Sequence, residues 1–252
     1  MNFDFSEDQK FLGNEARKFL EAECPMTAVR LVLNDDDMSH NETVWNKVVE
    51  MGWLGTAIPE EHGGLGLGLL EVCVLAEEMG RVLAPVPWAS TVYFFTEALK
   101  IAGSDAQQAD ILPRIVSGDV VGCYAASEGP GNPDAANLKT VFDGTTLSGT
   151  KLPVTDGDVA THAVVLAKEG SGASLVLVDL TGAGVTRKTL QTLDPTRSHA
   201  EITFDKAPAT RLGKAGDGEM LNDQVLDHAA VLLAFEQLGG ASRALEMATA
   251  YA

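Results

Sequence analysis

The sequence predicts an α+β protein with an α-helical N-terminal part, a middle antiparallel β-sandwich or barrel, and the start of a C-terminal helical bundle. Three observations carry this. Apolar residues recur at helical spacing up to about residue 117. From about 119 to 211 the chain breaks into short β-branched segments separated by Gly, Asp, Pro and Thr. From about 218 the helical period returns. The expected division is therefore 1–118, 119–212 and 213–252. No alternation of strand and helix occurs, so a Rossmann sheet finds no support.

Each helix has its own signals. Ser6 with Gln9 makes a capping box ahead of Leu12, Ala16, Phe19 and Leu20, which share one face. Asn41 is the cap of a helix that carries Val44, Trp45, Val48 and Val49 and stops at Gly52. "PEEHGGLGLG" (59–68) is a loop. After it, Leu69, Val72, Leu75, Ala76 and Met79 form an amphipathic helix that stops at Gly80. "PVPWAS" breaks the chain, "TVYFFTEALKIAG" is helical, and Ser104 with Gln107 opens a further helix that Pro113 should end or bend. The middle segments, "VVGCYAAS", "LKTVFD", "THAVVLAKE", "ASLVLVDL", "GVTRKTL" and "AEITFD", are strands. The last helical pattern runs to residue 252 without a C-cap, and Gly239–Gly240 interrupts its propensity but not its period. Its apolar face calls for further chain or a partner subunit, so the third part reads as truncated.

Composition narrows the function. The 252 residues can build a substantial core, and 45% hydrophobic with 21% charged residues is ordinary for a globular protein. A net charge of −18 repels nucleic acid and anionic membranes. Cys24, Cys73 and Cys123 are odd in number and show no metal or disulfide spacing. No stretch of about 18 apolar residues occurs and the N-terminus is no signal peptide, so a cytoplasmic protein is expected. The acidic cluster "NDDDMSH" (34–40) reads as a solvated loop.

Familiar site motifs are absent. In "GGLGLG" the third glycine of a dinucleotide fingerprint is replaced by Leu69, and no strand precedes it. The five histidines share no metal spacing, and neither G-x-S-x-G nor a Walker loop occurs. Of the last helix's acids, Asp223, Asp227, Glu236 and Glu246, most belong to a solvated face; Asp227 has apolar neighbours. "SEGPGNPD" (127–134) is either a plain turn or a backbone cradle, since its glycines let N–H groups approach a ligand.

Taken together, "PEEHGGLGLGLLEVCVLAEEMGRVLAPVP", "YAASE" with its glycine loop, "LSGTKLPVTDG" and "GGASRALEMATAYA" resemble the acyl-CoA dehydrogenase family over essentially the whole chain. The resemblance implies FAD as cofactor and oxidation of an acyl-CoA thioester to trans-2-enoyl-CoA. It also implies an electron-transfer flavoprotein as acceptor and a homo- or hetero-oligomer, dimer or tetramer. In that chemistry a carboxylate removes the proton alpha to the thioester carbonyl, and the flavin takes the beta hydrogen as hydride.

By the same resemblance, Tyr124, Ala125, Ala126 and Ser127 lie against the flavin, with Ser127 at the family's hydroxyl position. Pro153, Val154 and Thr155 form a second flavin contact, in which Thr155 supplies a hydroxyl and Pro153 replaces the family's aromatic residue. Pro133 stands where the family has a serine touching CoA, and Asp227 matches an acid near bound CoA. An expected Arg is Ala230. The family's main base position lies beyond residue 252 and the alternative aligns with Ala229, so no catalytic residue is assigned. These departures leave a second reading open, a non-catalytic partner subunit of a heteromeric acyl-CoA dehydrogenase. An active enzyme for a bulky acyl group, such as a steroid side chain, fits them as well.

Overall fold

The computed structural model describes residues 4–35 and 37–252. Helices α1 (Glu7–Glu23), α2 (Met26–Asn34), α3 (Glu42–Glu50) and α4 (Leu69–Val82) lead into a π-helical segment, Ala89–Thr96, continuous with α5 (Glu97–Ala102) and followed by α6 (Asp105–Val116). Strands β1 (Gly122–Ala125), β2 (Val141–Phe142), β3 (Thr146–Thr155), β4 (His162–Glu169), β5 (Gly172–Asp179), β6 (Val185–Leu190) and β7 (His199–Leu212) come next, then the long α7 (Gly218–Tyr251). The caps form as the sequence predicts: Ser6 and Ser104 close capping boxes with Gln9 and Gln107, and Asn41 accepts from Val44 N.

The strands close on themselves. β4 pairs β5, β5 pairs β7, β7 pairs β3, β3 pairs β2, and β2 returns to β4. This is the expected barrel with one difference. β1 and β2 run parallel to β4, because the chain makes a long excursion between β1 and β4 instead of a hairpin. β7 serves both sides of a corner, giving its first half to β6 and its second half to β5.

Alternation along the strands sorts two cores. On β4, Ala163, Val165 and Ala167 fill the barrel interior with Cys123, Ala125, Val154, Ile202 and Phe204. Val164 and Leu166 point outward and join the helices, including Leu75, Phe95, Leu99, Val225 and Leu232. The barrel's outer face is thus the floor of the helical core.

Three expectations need correction. α6 continues through Pro113 to Val116. The proline costs the helix the one bond its own nitrogen would make to the carbonyl four residues back, and the last turn still closes, with Ser117 N donating to Pro113 O at 3.0 Å. α4 does not stop at Gly80 but runs to Val82, with Leu83 left-handed at its end. The "NDDDMSH" segment is not wholly solvated. Ser39 donates to Asp158 at 2.6 Å, and burial pushes the half-buried His40 below its ordinary imidazole range. Asp36 of that segment lies outside the described residues. All three cysteines are free and buried.

Gly80 has a different purpose. A Cβ there would overlap the carbonyl oxygen of Glu236 on α7, and a Cβ at Gly239 would overlap the carbonyl oxygen of Glu77 on α4. The two helices cross backbone to backbone through this reciprocal pair. Outside the crossing, Arg17 holds Glu78 at 2.9 and 2.6 Å, and Arg81 holds Glu246 at 2.9 and 2.8 Å, tying α1, α4 and α7. Gly239→Ala should therefore destabilise the protein by roughly 1–3 kcal/mol through overpacking, several degrees in thermal midpoint. Gly240→Ala, whose Cβ would meet only Gly80 O at 3.5 Å, should be neutral or stabilising by up to about 1 kcal/mol from helix propensity. Thermal unfolding of the two variants side by side checks the contrast.

Candidate functional site

A cavity of about 520 Å³ lies where the barrel, α4, the π-helical segment and α7 meet. From α4 and the turn after it come Gly80, Leu83 and Ala84; from the π-helical segment, Ala89, Ser90 and Phe94. The barrel contributes Tyr124 and Thr155, and the loop before β7 contributes Asp194, Thr196 and Arg197. Leu233, Glu236, Gln237 and Gly240 of α7 close it. The size and the mixed lining, an apolar side of Leu83, Ala84, Ala89, Phe94 and Leu233 facing polar groups from the barrel and α7, suit a small-molecule site.

Tyr124 packs its ring 5.9 Å from that of Phe94 and donates its hydroxyl to Asn222 of α7 at 3.0 Å. Burial pushes this phenol far above its ordinary range. Thr155 is half-buried, and its Oγ1 lies 3.3 Å from His199 Nε2. Pleating separates the other residues singled out from the sequence. Ala126 shares the face of Tyr124. Ala125 and Val154 turn into the barrel interior, which leaves only their backbone for a ligand. Pro153 follows a cis peptide bond and is exposed. β1 pairs with β4 alone among the strands, so its other edge carries no ladder.

The segment "SEGPGNPD" is tied down rather than loose. Glu128 accepts from Lys139 N at 2.7 Å, Thr140 N at 2.9 Å and Lys151 Nζ at 2.8 Å. Burial works against ionisation of Glu128, but these bonds outweigh it and hold the carboxyl down to about 2. Burial likewise lowers Lys151 to about 8, with Glu128 opposing. Ser127 Oγ is taken up inside the loop, donating to Gly129 O at 3.3 Å. Pro133 lies in a separate surface depression with Glu128, Gly131 and Asn137. Asp227 is exposed on α7 despite its apolar sequence neighbours, and Ala229 is core.

Two cavity residues escape the sequence reading. Glu236 does not belong to a solvated face: it forms an ion pair with Arg197 from the loop before β7. The signal was its place in the stripe Ala229, Leu232, Leu233, Glu236, Gly239, an acid at apolar helical spacing. Behind the cavity wall runs a polar seam between helices and barrel. Ser90 donates to Asp156 at 2.6 Å, while Ser198 and Ser39 each donate to Asp158 at 2.6 Å.

Such an arrangement, helices packed on a closed barrel with a cavity between them, is an α+β fold with room for a small molecule. Residues 6–119 match the profile of the acyl-CoA dehydrogenase N-terminal domain. The chain is 30% identical over 266 residues to the mitochondrial short-chain specific acyl-CoA dehydrogenase of Sus scrofa, covering 99% of this chain and 63% of that protein. Among solved structures, a variant of the Tcur3481-Tcur3483 steroid ACAD is 34% identical with a TM-score of 0.86, over 97% of this chain and 66% of that one. The ChsE4-ChsE5 complex from Mycobacterium tuberculosis is 28% identical with a TM-score of 0.86, over 100% of this chain and 68% of that one. The protein belongs to the acyl-CoA dehydrogenase family, whose members are flavoprotein oxidoreductases. The chain spans between 44 and 67% of the length of the first curated relatives it matches. Among the described residues no helix is long and apolar enough to cross a membrane.

Asp156 gives the site a pH signature. Burial raises its carboxyl to about 6, against the hydrogen bond from Ser90. A carboxyl with a raised folded pKa contributes stability that is complete below its unfolded value and lost as pH rises through the folded one. Asp156→Asn keeps an acceptor for Ser90 and removes this titration. Relative to the unsubstituted protein, the variant should gain roughly 3 kcal/mol as pH rises from 4 to 7, read by urea unfolding at several pH values.

Proposed function

We propose that the protein acts in the FAD-dependent α,β-dehydrogenation of an acyl-CoA thioester to trans-2-enoyl-CoA, with an electron-transfer flavoprotein as acceptor, in a homo- or hetero-oligomer. One observation carries this reading: the Tyr124 ring and the Thr155 hydroxyl stand together in the wall of the cavity, beside the edge of β1 that pairs with no strand. The donor set suits a planar heterocycle with a polar rim. Ala126 O and Ser127 O are already bonded, to Lys151 Nζ and Leu152 N, so Thr155 Oγ1 offers a hydroxyl and Tyr124 with Ala126 an apolar face. FAD, when bound, supplies the two-electron oxidant.

The chain's own part is to hold and to exclude. Leu83, Ala84, Phe94 and Leu233 take the acyl body and keep water from it. The salt-bridged loop 127–138 packs on the start of α7, where Ala135 N donates to Glu219 at 2.6 Å, and frames the CoA side with Pro133 and Asp227. In this reading the three parts 1–118, 119–212 and 213–252 act as lid, flavin platform and first helix of the bundle.

A second reading, the non-catalytic partner of a heteromeric enzyme, has its own support. Both carboxylates at the cavity are engaged: Asp194 accepts from Thr196 N at 3.0 Å and from Thr196 Oγ1 at 2.5 Å, and Glu236 is paired with Arg197.

The intact polypeptide, purified with any subunit that accompanies it, decides between them. Bound flavin that bleaches when acyl-CoA is added anaerobically supports dehydrogenation. Flavin bound but bleached by no acyl-CoA supports the partner role, and absence of flavin overturns both. Thr155→Val should loosen flavin retention by roughly tenfold, the worth of one hydrogen bond to the ring, measured by equilibrium dialysis.

A further inference from the structure

The Thr155 hydroxyl already has a partner on its own face of the barrel. Thr155 and His199 are register partners on β3 and β7, and their neighbours Val154 and Ala200 fill the barrel interior. Pleating therefore turns Thr155 and His199 to the outer face together. Thr155 Oγ1 lies 3.3 Å from His199 Nε2, its one hydrogen-bond partner among the described residues. On the other side of the imidazole, His199 Nδ1 lies 3.1 Å from the carbonyl oxygen of Arg197.

These two contacts give the bond a direction. A carbonyl oxygen only accepts, so His199 Nδ1 carries a proton. The histidine ion pairs among the described residues are those of His62 and His228, so no carboxylate holds His199 charged. In the neutral ring Nε2 is bare and only accepts. Thr155 is then the donor, and its single hydroxyl hydrogen is taken by the imidazole. Oγ1 turns lone pairs to the cavity that Thr155 lines, and only a ligand donor meets them favourably.

We infer that His199 is a positioning residue for the cofactor: by taking the Thr155 hydrogen it fixes this hydroxyl as an acceptor and biases the site toward reduced flavin. The inference rests on the reading of the cavity as a flavin site and deepens it. Oxidised flavin has bare nitrogens where two-electron reduction leaves N–H groups. An oxygen with no hydrogen to give repels the first and binds the second. Such a difference in affinity shifts the redox equilibrium by the same factor.

The surroundings hold the imidazole in this role. β7 is paired on both sides at His199, with Thr155 of β3 and Leu190 of β6. The carbonyl that orients Nδ1 belongs to Arg197, whose side chain is joined to Glu236 of α7. The ring is thus set from the barrel and from the helices.

The test uses the intact flavin-loaded protein with any subunit that accompanies it. Nitrogen NMR of isotope-labelled histidine, in neutral to mildly alkaline buffer, reads the tautomer; the His199 signal is the one lost in His199→Gln. It should be the Nδ1–H form. An Nε2–H form, or a ring protonated at both nitrogens, would overturn the inference. The flavin midpoint potential is then measured by spectroelectrochemistry on variants checked for folding by circular dichroism. His199→Phe frees the hydroxyl hydrogen and should lower the ratio of reduced to oxidised flavin roughly tenfold, about 30 mV for a two-electron couple. In His199→Gln an amide oxygen replaces Nε2 as acceptor, and the potential should stay near that of the unsubstituted protein. In a Thr155→Val background His199→Phe should shift nothing, because the hydroxyl through which it acts is gone. A potential unchanged or raised by His199→Phe, or lowered equally with and without the Thr155 hydroxyl, would overturn the inference. The dehydrogenase reading is judged separately by flavin bleaching. Bleaching by acyl-CoA without coupling between Thr155 and His199 keeps that reading and removes the inference. Coupling without bleaching by any acyl-CoA does the opposite.

Discussion

Everything at the cavity depends on two helices that touch through their backbones. Gly80 and Gly239 admit the carbonyls of Glu236 and Glu77 where any side chain would collide. Without that approach α7 would stand off from α4 by at least a methyl group. The cavity is the space left beside this crossing, bounded by Gly80 and Gly240 on the helix side. The same contact determines which residues of α7 look inward. Leu232, Leu233, Glu236 and Gly239 follow one another at helical spacing along the face that meets α4 and the barrel.

The barrel supplies the opposite wall, and its pleating divides the labour. Inward residues such as Cys123, Ala125, Val154 and Ile202 make the barrel stiff. Their outward neighbours Tyr124 and Thr155 are then held in place at the cavity. Polar bonds fasten this wall to the helices, with Ser90 on Asp156 and Ser39 on Asp158. Asp156 is charged at neutral pH at some cost, since burial raises its carboxyl to about 6. A substitution that leaves the hydrogen bond and removes the charge gains where the charge is expensive.

Local signals in the sequence were reliable, and distant ones were not. The boxes at Ser6 and Ser104 and the cap at Asn41 are legible because each is complete within four residues. The barrel is legible from strand spacing, but the parallel pairing of β1 with β4 is not, since nothing local records which strands become neighbours. Gly80 reads as a helix stop because glycine often is one; its partner, 156 residues further on, is invisible until the helices cross. Tyr124 and Thr155 can be named from the family resemblance, and both line the cavity. Glu236 and Arg197 could not, because they are 39 residues apart and belong to different layers of the fold.

The central claim, that the glycine crossing holds the cavity together, is tested most directly by hydrogen exchange on Gly80→Ala compared with the unsubstituted protein. The account predicts that amide protection falls in α7 from residue 229 to 240 and in the π-helical segment Ala89–Thr96, while β4 and β5 stay protected. Unchanged protection in α7 and in that segment would contradict it.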